Sequence, residues 1–210
     1  MAWFDLLLAA PALALALALR PWRATADGLP AWPALAFSAA LPMLWGADHL
    51  SAVSVLQPLS GACLLMLMLG WPLTVLLLVP VAIALALVAD LSLLQTLHRA
   101  VWLGLVPATL AMGLGAALRR WLPHHLFVYI LGRGFFATCI AGIAAGLLAT
   151  WLEGVPPSGL AVSDLVVGRS LAAWGDAFLT GGLVAIFVAF KPNWLATYAD
   201  RIYLPSKPPG

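Results

Sequence analysis

The chain has 210 residues, 64% of them hydrophobic and 9% charged, with ten Lys and Arg against eight Asp and Glu. Soluble domains carry about 25% charged residues, so a mean hydropathy of +1.04 excludes an ordinary soluble protein and predicts an integral membrane one. A net charge of +2 excludes nucleic acid as an expected partner and leaves the lipid bilayer as the implied one.

A helix needs about 20 residues to cross roughly 30 Å of hydrocarbon. The first predicted span is 3–19. Asp5 precedes its apolar stretch and Arg20 and Arg23 follow it. A secretory leader has the reverse order, so this segment reads as a retained helix. The second, 32–45, is short and holds Pro33 and Pro42, which suits a slanted or incomplete crossing. Residues 59–94 then form a nearly continuous apolar run broken at Gly70-Trp71-Pro72. Proline favours the first turn of a helix and disfavours helix in the residue before it. The run therefore divides into helices at 59–69 and 72–89. Spans at 100–118, 126–152 and 171–190 complete the series.

The expected fold is all-α: a polytopic membrane protein of seven transmembrane helices, with 1–210 a single helical membrane domain ending in a short polar tail at 191–210. Charge favours seven over six. With seven, the clusters Arg20/Arg23, Arg119/Arg120 and Lys191/Arg201/Lys207 all follow odd-numbered spans and share one side. The positive-inside rule makes that side cytoplasmic. The amino terminus is then outside, the carboxy terminus cytoplasmic, and Asp48, Asp90, Glu153 and Asp164 fall in or beside outer loops.

Of ten tryptophans, Trp3, Trp32, Trp45, Trp71, Trp121, Trp151 and Trp194 lie near span ends, where indole rings partition to the interface. In the sixth span Ala137, Ala141, Ala145 and Ala149 recur every four residues, with Gly142 and Gly146 as a GxxxG pair. Such a stripe lets a helix approach closely, whether a neighbour in the same chain or one from a partner.

Polar groups inside a membrane are functional candidates. Arg133, Asp176 and Thr180 are the candidates for a substrate or ion pathway. One expectation is an Arg133–Asp176 ion pair. The other has Arg133 reaching backbone carbonyls or inner-leaflet phosphates, while Asp176 caps the last helix or faces a wet vestibule. Asp48, His49 and His98 form a candidate outer metal site. His124 and His125 are read as solvated in a basic loop. Cys63 and Cys139 lie in apolar runs without metal or redox spacing. No nucleophile–base arrangement or phosphate loop stands out, so an enzyme is not expected.

Three stretches resemble a known family. Leu59-Ser-Gly61-Ala-Cys63 through Gly70-Trp71-Pro72-Leu resembles the third-to-fourth-span junction of CbiM-like permeases. These are substrate-binding membrane components of energy-coupling-factor cobalt and nickel transporters. Leu122-Pro123-His124-His125, with Phe127, Tyr129 and Gly134-Phe135-Phe136, resembles a second block. Asp176-Ala-Phe178-Leu-Thr180-Gly181, leading to Lys191-Pro192-Asn-Trp194 and on to Tyr203, looks like the ending of a proteobacterial branch of that group.

The resemblance implies a multi-pass permease of the bacterial inner membrane, with separate ATPase and energising membrane subunits. Cobalt or nickel would be its transported ion. Family members begin Met-His and carry a second ligand His shortly before the glycine equivalent to Gly61. Here Met1-Ala2-Trp3 and Pro58 stand at those places, and Asp176 replaces a Glu. The alternative is a non-transporting accessory or assembly protein that packs against another membrane complex.

Overall fold

The computed structural model describes residues 2–23, 32–50, 57–153 and 161–203. All regular structure among them is helical. Helices α1 (Ala2–Ala18) and α2 (Trp32–Trp45) are followed by the single turn α3 (Ala47–Leu50) and by α4 (Ala62–Leu69). Next come α5 (Trp71–Ala89), α6 (Leu93–Arg99), α7 (Val106–Trp121), α8 (Ala137–Glu153), α9 (Val162–Phe190) and the short α10 (Asp200–Tyr203). Turns of π-helix, Ala100–Leu105 and Val128–Phe136, join α6 to α7 and lead into α8. Four helical stretches are long and apolar enough to cross a membrane: Trp71–Ala89, Leu93–Trp121, Val128–Leu152 and Val162–Phe190. Trp3–Ala18 and Trp32–Trp45 are shorter apolar helices.

The Gly-Trp-Pro turn forms. Gly70 ends α4 at φ 79°, ψ 159°, a conformation open essentially to glycine alone. Pro72 then sits in the first turn of α5, where its missing N–H costs nothing. The stretch expected as a helix over 59–69 is helical only from Ala62. Residues 58–61 have no regular secondary structure, and Gly61 enters α4 in the left-handed region at φ 65°. At 1.5 Å per residue α4 is about 12 Å long, and each of its eight residues is buried. It lies inside the bundle among α2, α5, α7 and α9.

A second break follows from Pro107. It has no N–H to give Leu103, four residues earlier, and the helix widens to π geometry just before it. Ser60 Oγ donates to the freed Leu103 carbonyl at 2.6 Å. The span expected at 100–118 thus extends over 93–121, opened by a capping box between Ser92 and Gln95. The last span begins at Val162 rather than at 171.

Two tryptophans depart from the interfacial expectation. Trp45 and Trp71 are buried, and their indole N–H groups donate to Ser60 O at 2.8 Å and Thr109 Oγ1 at 2.9 Å. They are core residues that join helices. Trp3, Trp32, Trp121 and Trp151 are broadly exposed.

The two glycines at α4 and α7 respond differently to a methyl group. An added Cβ at Gly61 would lie 2.8 Å from Leu41 Cδ2 in a left-handed backbone, whereas at helical Gly113 it meets nothing within 4 Å. Gly61→Ala is expected to destabilise by about 1–3 kcal/mol. Gly113→Ala is expected to be neutral or stabilising by up to about 1 kcal/mol. Thermal unfolding in detergent compares the two.

Candidate functional site

A helix leaves its first N–H and last C=O groups unpaired, and inside a bundle no bulk water satisfies them. Both ends of α4 are met by particular residues. At its start, Gly61 N–H donates to Asp176 Oδ1 at 2.9 Å, and Ala62 N–H donates to Ser60 Oγ at 3.2 Å. Asp176 is 2% exposed. Its negative charge also complements the positive end of the helix dipole.

At the other end the carboxy-terminal segment folds back into the bundle. Ala196 N–H donates to Met68 O at 3.0 Å, and Thr197 N–H to Leu67 O at 3.3 Å. Thr197 Oγ1 adds a bond to Leu67 O at 2.9 Å. Because that hydroxyl spends its hydrogen on Leu67, Tyr129 Oη donates to Thr197 Oγ1, at 2.8 Å.

Arg133 completes this end. Its Nη1 donates to Thr197 O at 3.3 Å, and its guanidinium lies 5.4 Å from the Tyr129 ring centre, a cation–π distance. Gly115 makes room for it: a Cβ there would stand 2.8 Å from Arg133 Nε. Tyr129 packs on Tyr198 and Tyr203 at centroid distances of 4.9 and 5.0 Å.

Arg133 and Asp176 therefore do not form the ion pair that was one of two expectations. Arg133 takes a backbone carbonyl, and Asp176 takes a backbone N–H and faces a cavity. Thr180 lies one turn beyond Asp176 on the same buried stripe of α9. Its hydroxyl is fully buried and has no hydrogen-bond partner among the described residues.

A cavity of about 150 Å³ opens at the Asp48 end of the bundle, with Asp48, Gln57, Arg99, Trp102 and Arg169 among its lining residues. A smaller space of about 10 Å³ is lined by Ser60 and Asp176 among others. The two share Gln57, Pro58, Trp102 and Ala145, so they adjoin. A partly polar vestibule thus lies next to the small space beside the carboxylate.

The outer metal site expected from Asp48, His49 and His98 does not assemble. Arg99 donates to both carboxylate oxygens of Asp48, at 2.7 and 2.5 Å, and to Trp45 O. His98 Nδ1 lies 3.0 Å from Asp5 Oδ2, and Trp102 Nε1 donates to Asp5 Oδ1 at 2.9 Å. His49 reaches Asp48 only at 3.6 Å. Among the described residues no group of three or more His, Cys, Asp or Glu side chains is placed to hold a metal ion. The physical reason is that each carboxylate already has a nearer donor.

The small-residue stripe faces inward. Ala137, Ala141 and Ala145 are buried. A Cβ on Gly142 would lie 2.8 Å from Ala173 Cβ, and one on Gly146 would lie 3.1 Å from Arg169 Cβ. Helix α9 occupies that face.

Ser60, Gly61, Tyr129 and Thr197 were absent from the sequence-level candidates. Tyr129 had a usable signal, because it lies four residues before Arg133 on one helical face. Asp5, an acid within an apolar run, had another. Thr197 had none, since nothing local shows that its segment folds back onto α4.

Comparison of the chain with protein-family models, curated proteins and solved structures gives no match.

The Arg99 guanidinium, through its hydrogen bonds to the Asp48 carboxylate, holds that carboxyl below its usual value of 3.8. A lowered folded value means the pair stabilises above the unfolded pKa, and that this is lost as pH falls through the folded one. Asp48→Asn is therefore expected to cost about 1 kcal/mol at neutral pH. The gap to wild type should close as pH drops below about 4, as read from thermal unfolding across that range.

Proposed function

We propose that this chain is a membrane permease or substrate-binding subunit that takes a small solute or ion from the Asp48–Arg99 end toward the break before α4. One observation carries the reading. A non-helical segment followed by an eight-residue buried helix brings a helix start into the bundle, with Asp176 bonded to it and a small space beside that carboxylate adjoining a larger cavity. Discontinuous helices of this kind serve as binding sites in transporters, because backbone groups and helix-end charges become available there.

The seven-span topology fits this arrangement. In it the stretch 57–69, a short non-helical segment followed by about 12 Å of helix, counts as one crossing. Together with α1, α2 and the four long helices it brings the crossings to seven. Arg20 and Lys191, just past span ends, and Arg119 and Arg120, in the last turn of α7, then share one side, which the positive-inside rule makes cytoplasmic in a bacterial inner membrane.

The resemblance to energy-coupling-factor permeases supplies the rest of the proposal: separate ATPase and energising membrane subunits drive the cycle. Cobalt and nickel are poor fits to the break, where the donors are carboxylate, hydroxyl and carbonyl oxygens. Imidazole and thiolate are the usual ligands for such metals. The alternative, a non-transporting assembly protein, draws on the missing family ligands as well as on the α8 stripe, and α9 fills only the latter.

The test is affinity purification from membranes, followed by uptake in cells. An ATPase and a second membrane subunit should co-purify with the wild-type chain. Asp176→Asn should lower solute uptake at least tenfold while leaving the complex intact. Isolation with a non-transporter complex, or uptake unchanged by Asp176→Asn, would overturn the reading.

A further inference from the structure

We propose that Asp176 binds a small monovalent cation freed of its water, an alkali ion or a primary ammonium group, in the space between α9 and the break before α4. For its biological meaning, as cargo or coupling ion, this rests on the transport reading above.

The charge balance at Asp176 points to a cation. Only Oδ1 takes the Gly61 N–H. A helix start offsets about half an elementary charge. No Lys, Arg or His pairs with this carboxylate among the described residues, although it is 2% exposed. A buried carboxylate that is only partly offset is costly, and an added cation relieves that cost.

Size and donor type narrow the choice. The space beside the carboxylate is about 10 Å³, about the room one water-sized group occupies. Ser60 and Gln57 line it with Asp176. These are hard oxygen donors with a single carboxylate among them. Calcium and magnesium draw on more oxygens or several waters, and cobalt or nickel draw on nitrogen and sulfur.

The approach is compatible with one positive charge. Arg99, in the vestibule wall, is neutralised by its two bonds to Asp48. Arg169 is seven residues before Asp176, about 10 Å along the helix. It donates to Gly146 O and Thr150 Oγ1. The indole of Trp102 lines both cavities and offers an aromatic wall that tolerates an ammonium group.

Thermal unfolding of the purified protein in detergent, followed by tryptophan fluorescence, tests this. Sodium, methylammonium, cobalt(II) and N-methylglucamine chlorides are compared at matched ionic strength from pH 6 to 8. Sodium or methylammonium should raise Tm by about 5 °C over N-methylglucamine at a hundredfold excess over Kd. A response to sodium alone assigns an alkali ion, and a response to methylammonium alone assigns an amine. Asp176→Asn should abolish the shift, because its amide oxygen still accepts the Gly61 N–H but carries no charge. Gln57→Leu should weaken binding about tenfold, because Gln57 lines the space, and serves as the comparison if Asp176→Asn does not fold.

Four results would overturn the proposal: no shift with either monovalent cation, a shift retained in Asp176→Asn, an affinity unchanged in Gln57→Leu, or a response only to cobalt or to pH. Cation binding without any transporter partner would leave this site standing and remove the transport reading. Partners and uptake without cation binding would do the reverse.

Discussion

Helix α4 is eight residues long and buried on every side, so its terminal N–H and C=O groups have only the protein to bond with. Each group left unpaired in such a place costs on the order of 1–3 kcal/mol. This requirement organises the interior around α4. Asp176 and Ser60 serve the start of the helix, and Ala196 and Thr197 serve its end. The elements that carry these residues, α9 and the segment after it, are held in place partly by that demand. Ser60 links the arrangement to a second break, because its hydroxyl takes the carbonyl that Pro107 leaves unbonded.

The same constraint accounts for two of the buried charged residues, Arg133 and Asp176. Arg133 and Asp176 have opposite charges and, by sequence position, lie at depths about 9 Å apart, which suggests a pair. They are instead set near opposite ends of a helix about 12 Å long. The anion lies at the positive end of the α4 dipole. The cation lies beside the Thr197 carbonyl, next to the negative end. Each is stabilised by the helix between them rather than by the other. This leaves Asp176 lining the small space next to the vestibule, and that makes the break a candidate binding site as well as a structural joint.

Much of the fold was legible because its signals are local. Apolar run lengths locate the long helices. Gly70-Trp71-Pro72 marks the turn between α4 and α5, since the backbone at Gly70 excludes other residues and Pro72 suits only the first turn. What was not legible depends on contacts distant in sequence. The tail after Phe190 looks polar and solvent-bound, yet Leu195, Tyr198 and Tyr203 are buried, because α4 needs donors at its end. Trp45 and Trp71 resemble interfacial anchors by position, and only the carbonyl of Ser60 and the hydroxyl of Thr109 explain why they turn inward. At the candidate site, Asp176 and Thr180 could be singled out as polar groups in an apolar helix. Asp48, His49 and His98 looked like ligands until Arg99 and Asp5 took up their bonding capacity.

Amide hydrogen exchange over α4, in the intact protein and in a chain ending at residue 194, tests this account most directly. If the tail satisfies the end of α4, the amides of 64–69 exchange as slowly in the intact protein as those in the middle of α5. Removal of 195–210 then raises their exchange at least tenfold while α5 stays protected. Fast exchange of α4 in the intact chain, or protection unchanged after the tail is removed, would contradict it.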